Sequence, residues 1–396
     1  MQQNSRFYFI DNLRSMALLL GIIFHAAIAY GPYFKNIWFS ADPNTSVFFN
    51  YLANWLHLFR MPLFFLIAGF CSALLIARKN EQSFITLRFK RVLIPFLVFY
   101  PIIIAIFLHI FMWGTEVANP VPALFGVIQA IENPQISTIH LWFLWVLMQL
   151  CILHWCLTRF SSIYKYLLKV TTNPLVLLLA LVVCSFISLL AQPVPFHAPD
   201  KLYPQFWAWG FYGAFYFAGA ILYNNLQVIA RGVKSTLVIA GVATVSLGYY
   251  FLLLPASPTL TQVIEAAQQG YFAPSGAQHS LLVAIQAIAI VSWTALALIL
   301  GYNYLNKESK VSRYISESSY WVYLVHVPIL LYMQLPLTNI DLPAAVKFIL
   351  SVSGTLVISL VSYHYLIRGR FIGHLLNGKK PTSPLSPKSE NNALAK

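Results

Sequence analysis

The feature that most constrains this chain is a succession of apolar stretches about 20 residues long, each able to cross a bilayer as a helix. They fall at roughly 10–31, 47–76, 92–112, 139–158, 174–191, 207–226, 235–254, 280–303, 318–335 and 344–366. A backbone in lipid has no water to bond, so repeated long apolar runs imply helices that satisfy their own peptide groups. Only 9% of the residues are charged and 59% are hydrophobic, whereas a soluble chain is about 25% charged. The expectation is an all-α fold, a polytopic membrane bundle of about ten transmembrane helices. One membrane domain would cover residues 1–376. Residues 377–396, rich in Lys, Pro, Ser and Asn, would form a disordered cytoplasmic tail.

The net charge of +14 would fit nucleic-acid binding only if it formed a continuous surface. It is instead broken into short clusters between apolar runs, such as Arg78, Lys79, Arg88, Lys90 and Arg91, or Lys307, Lys310 and Arg313. Every second loop carries one, the pattern that orients membrane helices with basic loops inside. This argues against nucleic acid, predicts membrane-lipid contacts and places both termini in the cytoplasm. The four cysteines, Cys71, Cys151, Cys156 and Cys184, lie in apolar runs without metal or redox spacing. Ala27-Ile28-Ala29 resembles a signal-peptidase site, but Asp11 and His25 interrupt the required pattern, so the first helix is expected to be retained. The second run is long enough that its start, Phe48 to Leu58, is expected to be interfacial or re-entrant. Loops near 113–138, 192–206 and 255–279 are rich in Pro, Asn, Gln and Ser and could line the mouth of a polar cavity.

Several polar residues sit where lipid makes them costly. Arg14 and His25 are 11 residues apart on one predicted helix, on nearly one face and about 16 Å apart along the axis. They fit a polar channel in which a neutral imidazole serves as a base. Arg88 and Arg91, just before the third helix, suit phosphate oxygens, the more so at a helix N-terminus. Equally, they fit an orientation signal. In Ser316 to His326, Tyr320, Tyr323 and His326 recur every three residues, with Ser316 and Glu317 placed to cap and stabilise a helix start. A structural polar seam is the other reading. His57 and Arg60 precede Pro62 near the outer face, where they fit an acidic or sugar group, or an interfacial anchor. His140, beside Trp142 and Phe143, suits sugar stacking or an aromatic belt. No zinc, P-loop, GxSxG or haem signature is present in the sequence, so no metal is expected.

In order, Ile10 to Arg14 with His25, Phe64 to Gly69, Arg88-x-x-Arg91 with Pro95, His140 to Leu144, and Ser316 to His326 resemble the acyltransferase family 3 membrane proteins over nearly the whole chain. Ala68 departs from the Ser common before the Gly. The resemblance implies a multi-pass enzyme of the bacterial inner membrane. Its donor would be cytoplasmic acyl-CoA, either succinyl-CoA or acetyl-CoA, and its acceptor the hydroxyls of a periplasmic glucan or other glycan. It further implies His25, Arg14 and His326 as catalytic, Arg88, Arg91 and Tyr323 as donor-binding, and His57, Arg60 and His140 as substrate-binding. A secondary transporter is the competing class, because a polar Arg and His channel through a helical bundle serves transport equally.

Overall fold

The structure is a computed structural model that describes residues 7–131, 136–160, 164, 173–269 and 274–377. Among the described residues the regular secondary structure is all helical, with no strand and one isolated antiparallel bridge between Ser137 and Lys201. The first helix, α1, is Tyr8–Ile28, and α2 is Val47–Arg78, started by Ser46, whose hydroxyl accepts from the Phe48 N–H. Next come α3 (Glu81–Arg88), α4 (Ile94–Val117), α5 (Ala123–Ala130), α6 (Trp142–Arg159), α7 (Pro174–Leu189) and α8 (Phe206–Asn224). The remainder are α9 (Leu226–Val233), α10 (Thr236–Leu253), α11 (Leu260–Gln269), α12 (Ala277–Tyr304), α13 (Lys310–Leu337), α14 (Ala344–Ser362) and α15 (Phe371–Asn377). The expected tail lies outside the described residues after Asn377.

Among the described residues, eight helical segments are long and apolar enough to cross a membrane: α1, α2, the rod α3–α4, α6, α10, α12, α13 and α14. Of the other two expected spans, α7 is apolar but has 16 residues. Trp, Tyr and Gly dilute the hydropathy of α8, which is a core helix packed most extensively against α2. The lipid-facing and core-facing helices thus differ in what they show. Leu237 and Leu252 of α10 are 88% and 80% exposed, an apolar face of the kind a bilayer covers. On α8, Phe211, Tyr212, Phe215 and Tyr216 are buried. Reciprocal glycines set the α2–α8 approach. A Cβ on Gly69 would strike the Tyr216 carbonyl, and a Cβ on Gly219 would strike that of Leu66.

Three local expectations are overturned. First, α2 runs unbroken through Pro62 for 32 residues, so of the two expected alternatives for Phe48 to Leu58 the re-entrant one is excluded. The proline removes one ladder bond, but α1, α8 and α12 pack along α2 and hold it. Second, Arg88 and Arg91 do not begin a helix. The rod continues from α3 through a π turn at Phe89–Leu93 into α4, and the true start is capped by Asn80, whose side chain accepts from Ser83 N–H at 2.7 Å. No free N–H groups are therefore left at the arginines for a phosphate. Third, Ser316 does not cap α13. That helix starts at Lys310 with Ser309 as its cap, which leaves Ser316 inside the helix and able to bond sideways.

Candidate functional site

Helices α1, α2, α6 and α13, with the α3–α4 rod and the segment before α8, enclose a cavity of about 1860 Å³. All nine candidate residues line it: Arg14, His25, His57, Arg60, Arg88, Arg91, His140, Tyr323 and His326. The chain spreads them from its first long helix to α13, and the bundle brings them onto one cavity.

At the middle of the cavity three imidazoles meet. The His25 and His326 rings have centroids 5.3 Å apart, and His140 and His326 are 5.8 Å apart. Backbone carbonyls fix two of the tautomers, because a carbonyl can only accept. His326 donates through Nδ1 to the carbonyls of Tyr323 at 2.8 Å and Val322 at 3.2 Å. Its Nε2 is then a bare acceptor, buried and without a partner. His140 donates through Nε2 to the Leu324 carbonyl at 3.0 Å, leaving Nδ1 in the same condition. The Nδ1 of His25 is also buried without a partner. The Tyr323 hydroxyl donates to the His140 carbonyl at 2.7 Å, so Tyr323 ties the α6 start to α13 rather than offering a free hydroxyl.

The arginines occupy one end. Arg14 donates to the carbonyl and hydroxyl of Ser316 and lies 3.9 Å from Asp11, locking α1 to α13. Arg88 donates to the Ser72 hydroxyl at 2.9 Å and lies over the Phe84 ring. Its Nε is buried without a partner, and Arg91 is exposed along the same cavity. Ser72 and His57 are 15 residues apart on α2, so the arginine end lies about 22 Å along the axis from His57.

Towards the other end, His57 donates through Nε2 to the Phe196 carbonyl at 2.8 Å. Arg60 is not an interfacial anchor. It is 6% exposed, its guanidinium lies 4.4 Å from the centre of the Phe24 ring, and its Nε has no partner. Beyond it, the cavity is bounded by the segment from Gln192 to Trp207 and by α5 and α11, which pack on each other.

Two features that bear on the site are not among the candidates, one lining the cavity and one supporting it from outside. Trp38, which reads as an interfacial aromatic, stacks on His25 with centroids 5.4 Å apart and planes at 20°. No local pattern points to that stack. The second is Lys347, fully buried, which donates to both carboxylate oxygens of Asp42 at 2.9 Å. A lone lysine inside the apolar run at 344–366 is a usable signal, because a cation there demands a partner. Among the described residues, no group of three or more His, Cys, Asp or Glu side chains is arranged to hold a metal ion.

Fold and site together define a multi-pass helical membrane protein with an internal cavity lined by histidine and arginine. The family model described as the acyltransferase domain matches residues 7–364. The chain belongs to that family, acyltransferase family 3. Among curated proteins it is 25% identical over 395 residues to the glucans biosynthesis protein C of Salmonella paratyphi B, covering 95% of this chain and 96% of the relative. The proteins of that name from Salmonella heidelberg and Salmonella enteritidis PT4 match to the same extent. No solved structure matches the chain.

Proposed function

We propose that this protein transfers an acyl group, succinyl or acetyl, from cytoplasmic acyl-CoA to a hydroxyl of a periplasmic glucan or other extracytoplasmic glycan. It would do so in the bacterial inner membrane, with both termini cytoplasmic and the arginine end facing the cytoplasm. The observation that carries this reading is the order of groups along one cavity: guanidiniums at one end, unpartnered imidazole nitrogens in the middle, and polar and aromatic loops at the other. Arg88 and Arg91 would hold the phosphates of CoA. Arg88 suits this because its Nε lacks a partner, and guanidinium forks match phosphate oxygens. The pantetheine arm then reaches along the cavity to the histidines.

In the transfer, the acceptor hydroxyl oxygen forms a bond to the acyl carbon while the carbon–sulfur bond breaks. His25 takes the hydroxyl proton and returns it to the departing thiolate, giving an ester and free CoA. His326, whose ring lies 5.3 Å from that of His25 and whose Nε2 can only accept, would steady the imidazolium that His25 becomes. Arg14 holds α1 in register with α13, and Tyr323 and His140 orient His326. His57 and Arg60 line the acceptor side.

The test is mass spectrometry of periplasmic glycans from a deletion strain carrying wild type or His25→Ala at equal membrane abundance. An acyl mass added by wild type and lost in His25→Ala supports the reading and identifies the acyl group. Identical glycans in deletion, wild type and mutant would reject it and favour transport.

A further inference from the structure

The end of the cavity away from the arginines has a built wall. The segment 192–205 is held from several sides. Thr138 donates to the Asp200 carbonyl through N–H at 2.7 Å and through Oγ1 at 2.9 Å. The Trp145 indole donates to the Leu202 carbonyl at 2.9 Å, and His57 to that of Phe196. With its backbone fixed this way, the segment shows its side chains to the cavity as a set surface rather than as a loose loop.

That surface is aromatic and amide in character. Tyr203 and Phe206 are 60% and 74% exposed, yet both line the cavity, as do Trp207, Gln205 and Gln192. The Trp207 indole donates to Gln205 Oε1 at 3.3 Å, which sets the amide beside the ring. Charge is balanced nearby, since Lys201 pairs with Asp200 at 3.9 Å. The other end of the same cavity concentrates Arg14, Arg88 and Arg91. One cavity therefore offers a strongly cationic end to an anion and, at the far end, a mainly aromatic and amide wall to a ligand without net charge, the charged groups there being the Asp200–Lys201 pair, Glu265 and Arg60. A neutral ligand that wants flat apolar faces and amide hydrogen bonds together is a saccharide. The C–H faces of its rings lie on aromatic planes, and its hydroxyls bond to amides.

We infer that Tyr203, Phe206 and Trp207, with Gln205 and Gln192, form a platform for a neutral saccharide that feeds the acceptor hydroxyl towards the histidines. This rests on the transferase reading above and adds the residues that recognise the acceptor. The platform holds sugar units next to the acylated one, so it sets affinity for the glycan and leaves the donor end untouched.

The experiment uses full-length protein in nanodiscs, with the periplasmic glucan fraction of the deletion strain as the probe. It compares wild type, Tyr203→Ala/Phe206→Ala, and Tyr249→Ala. Tyr249 is a 56% exposed aromatic on α10 that is not part of the cavity wall. Binding of the glucan to the purified protein is measured first, then the KM for glucan and for acyl-CoA. The double variant is expected to weaken glucan binding and raise the glucan KM about tenfold or more, with the acyl-CoA KM unchanged. Tyr249→Ala is expected to match wild type. A wild type that binds no glucan overturns the platform, as does a double variant within about twofold of wild type in glucan affinity. So does a Tyr249→Ala effect as large as the double variant's, which would mark these aromatics as lipid anchors. A wild type that binds glucan through these residues but acylates nothing would reject the transferase reading and keep the platform.

Discussion

Replacing Lys347 by Met should destabilise the protein far more than replacing Lys347 and Asp42 together. The ammonium donates to both oxygens of Asp42 at 2.9 Å, and the two side chains are 0% and 1% exposed. Asp42 also accepts the Asn44 N–H at 2.8 Å. Removing the lysine leaves a carboxylate buried without its counter-ion, which costs about 3–5 kcal/mol. That is a large share of a total stability of about 5–15 kcal/mol. In Lys347→Met/Asp42→Asn neither charge remains, and the amide oxygen can still accept from Asn44. The double variant should lose only about 1–2 kcal/mol. The double variant should therefore be more stable than Lys347→Met by about 2–3 kcal/mol, readable from SDS or thermal unfolding in detergent, and the Asp42→Asn single variant completes the cycle. The pair also pins the segment between α1 and α2, where Asp42 N–H donates to the Ala29 carbonyl and Ser46 N–H to that of Tyr30. That segment carries Trp38 onto His25, so Lys347→Met should lower kcat even where the protein stays folded. Single variants costing less than about 1 kcal/mol, or costs that simply add in the double variant, would refute the reasoning.

Other outcomes follow from the site and the packing. Arg88→Ala with Arg91→Ala should raise the KM for acyl-CoA by about tenfold or more, measured by steady-state kinetics in nanodiscs; an unchanged KM removes the donor site from this end. His326→Phe keeps bulk in the cavity but loses the accepting nitrogen, and should lower kcat by about 100-fold or more with protein abundance unchanged. Gly219→Val drives a side chain into the Leu66 carbonyl and should cost at least about 1–3 kcal/mol in detergent unfolding, whereas Gly241→Val on α10, where a Cβ meets nothing, should be near neutral. Burial lowers the pKa of His197, in the segment before α8, from 6.5 to about 4, with Lys201 adding to the effect and Asp200 opposing it. Above pH 6.5 the ring is neutral in both states; as pH falls from 6.5 towards 4 the unfolded chain takes up a proton that the folded one refuses, so stability drops across that window. A His197→Gln variant should show a shallower decline of Tm over the same range.

The sequence alone determined the class of fold and most of the helices. The length and apolarity of a run are local properties, and lipid leaves a long apolar run only the helix. The sequence also marks the polar residues that lipid makes expensive, which is why Arg14, His25, Arg60, His140 and His326 stand out from their apolar neighbours. It misjudges how helices begin and end where two local signals compete. Ser316 has the chemistry of a cap but bonds Arg14, Pro62 has the chemistry of a break but is held by its neighbours, and the arginines before α4 sit inside a continuous rod. Tertiary structure alone decided which distant residues meet. Arg14 and Ser316 are 302 residues apart, and Asp42 and Lys347 are 305 apart. No spacing rule reaches that far, because such pairs are chosen by helix packing, here by glycines such as Gly69 and Gly219 that let backbones touch. The stacking of Trp38 on His25 has the same origin: an aromatic near a helix end can anchor at the interface or fold inward. The buried Lys347–Asp42 pair fixes the segment between α1 and α2, and with it the inward course that brings the indole to the imidazole.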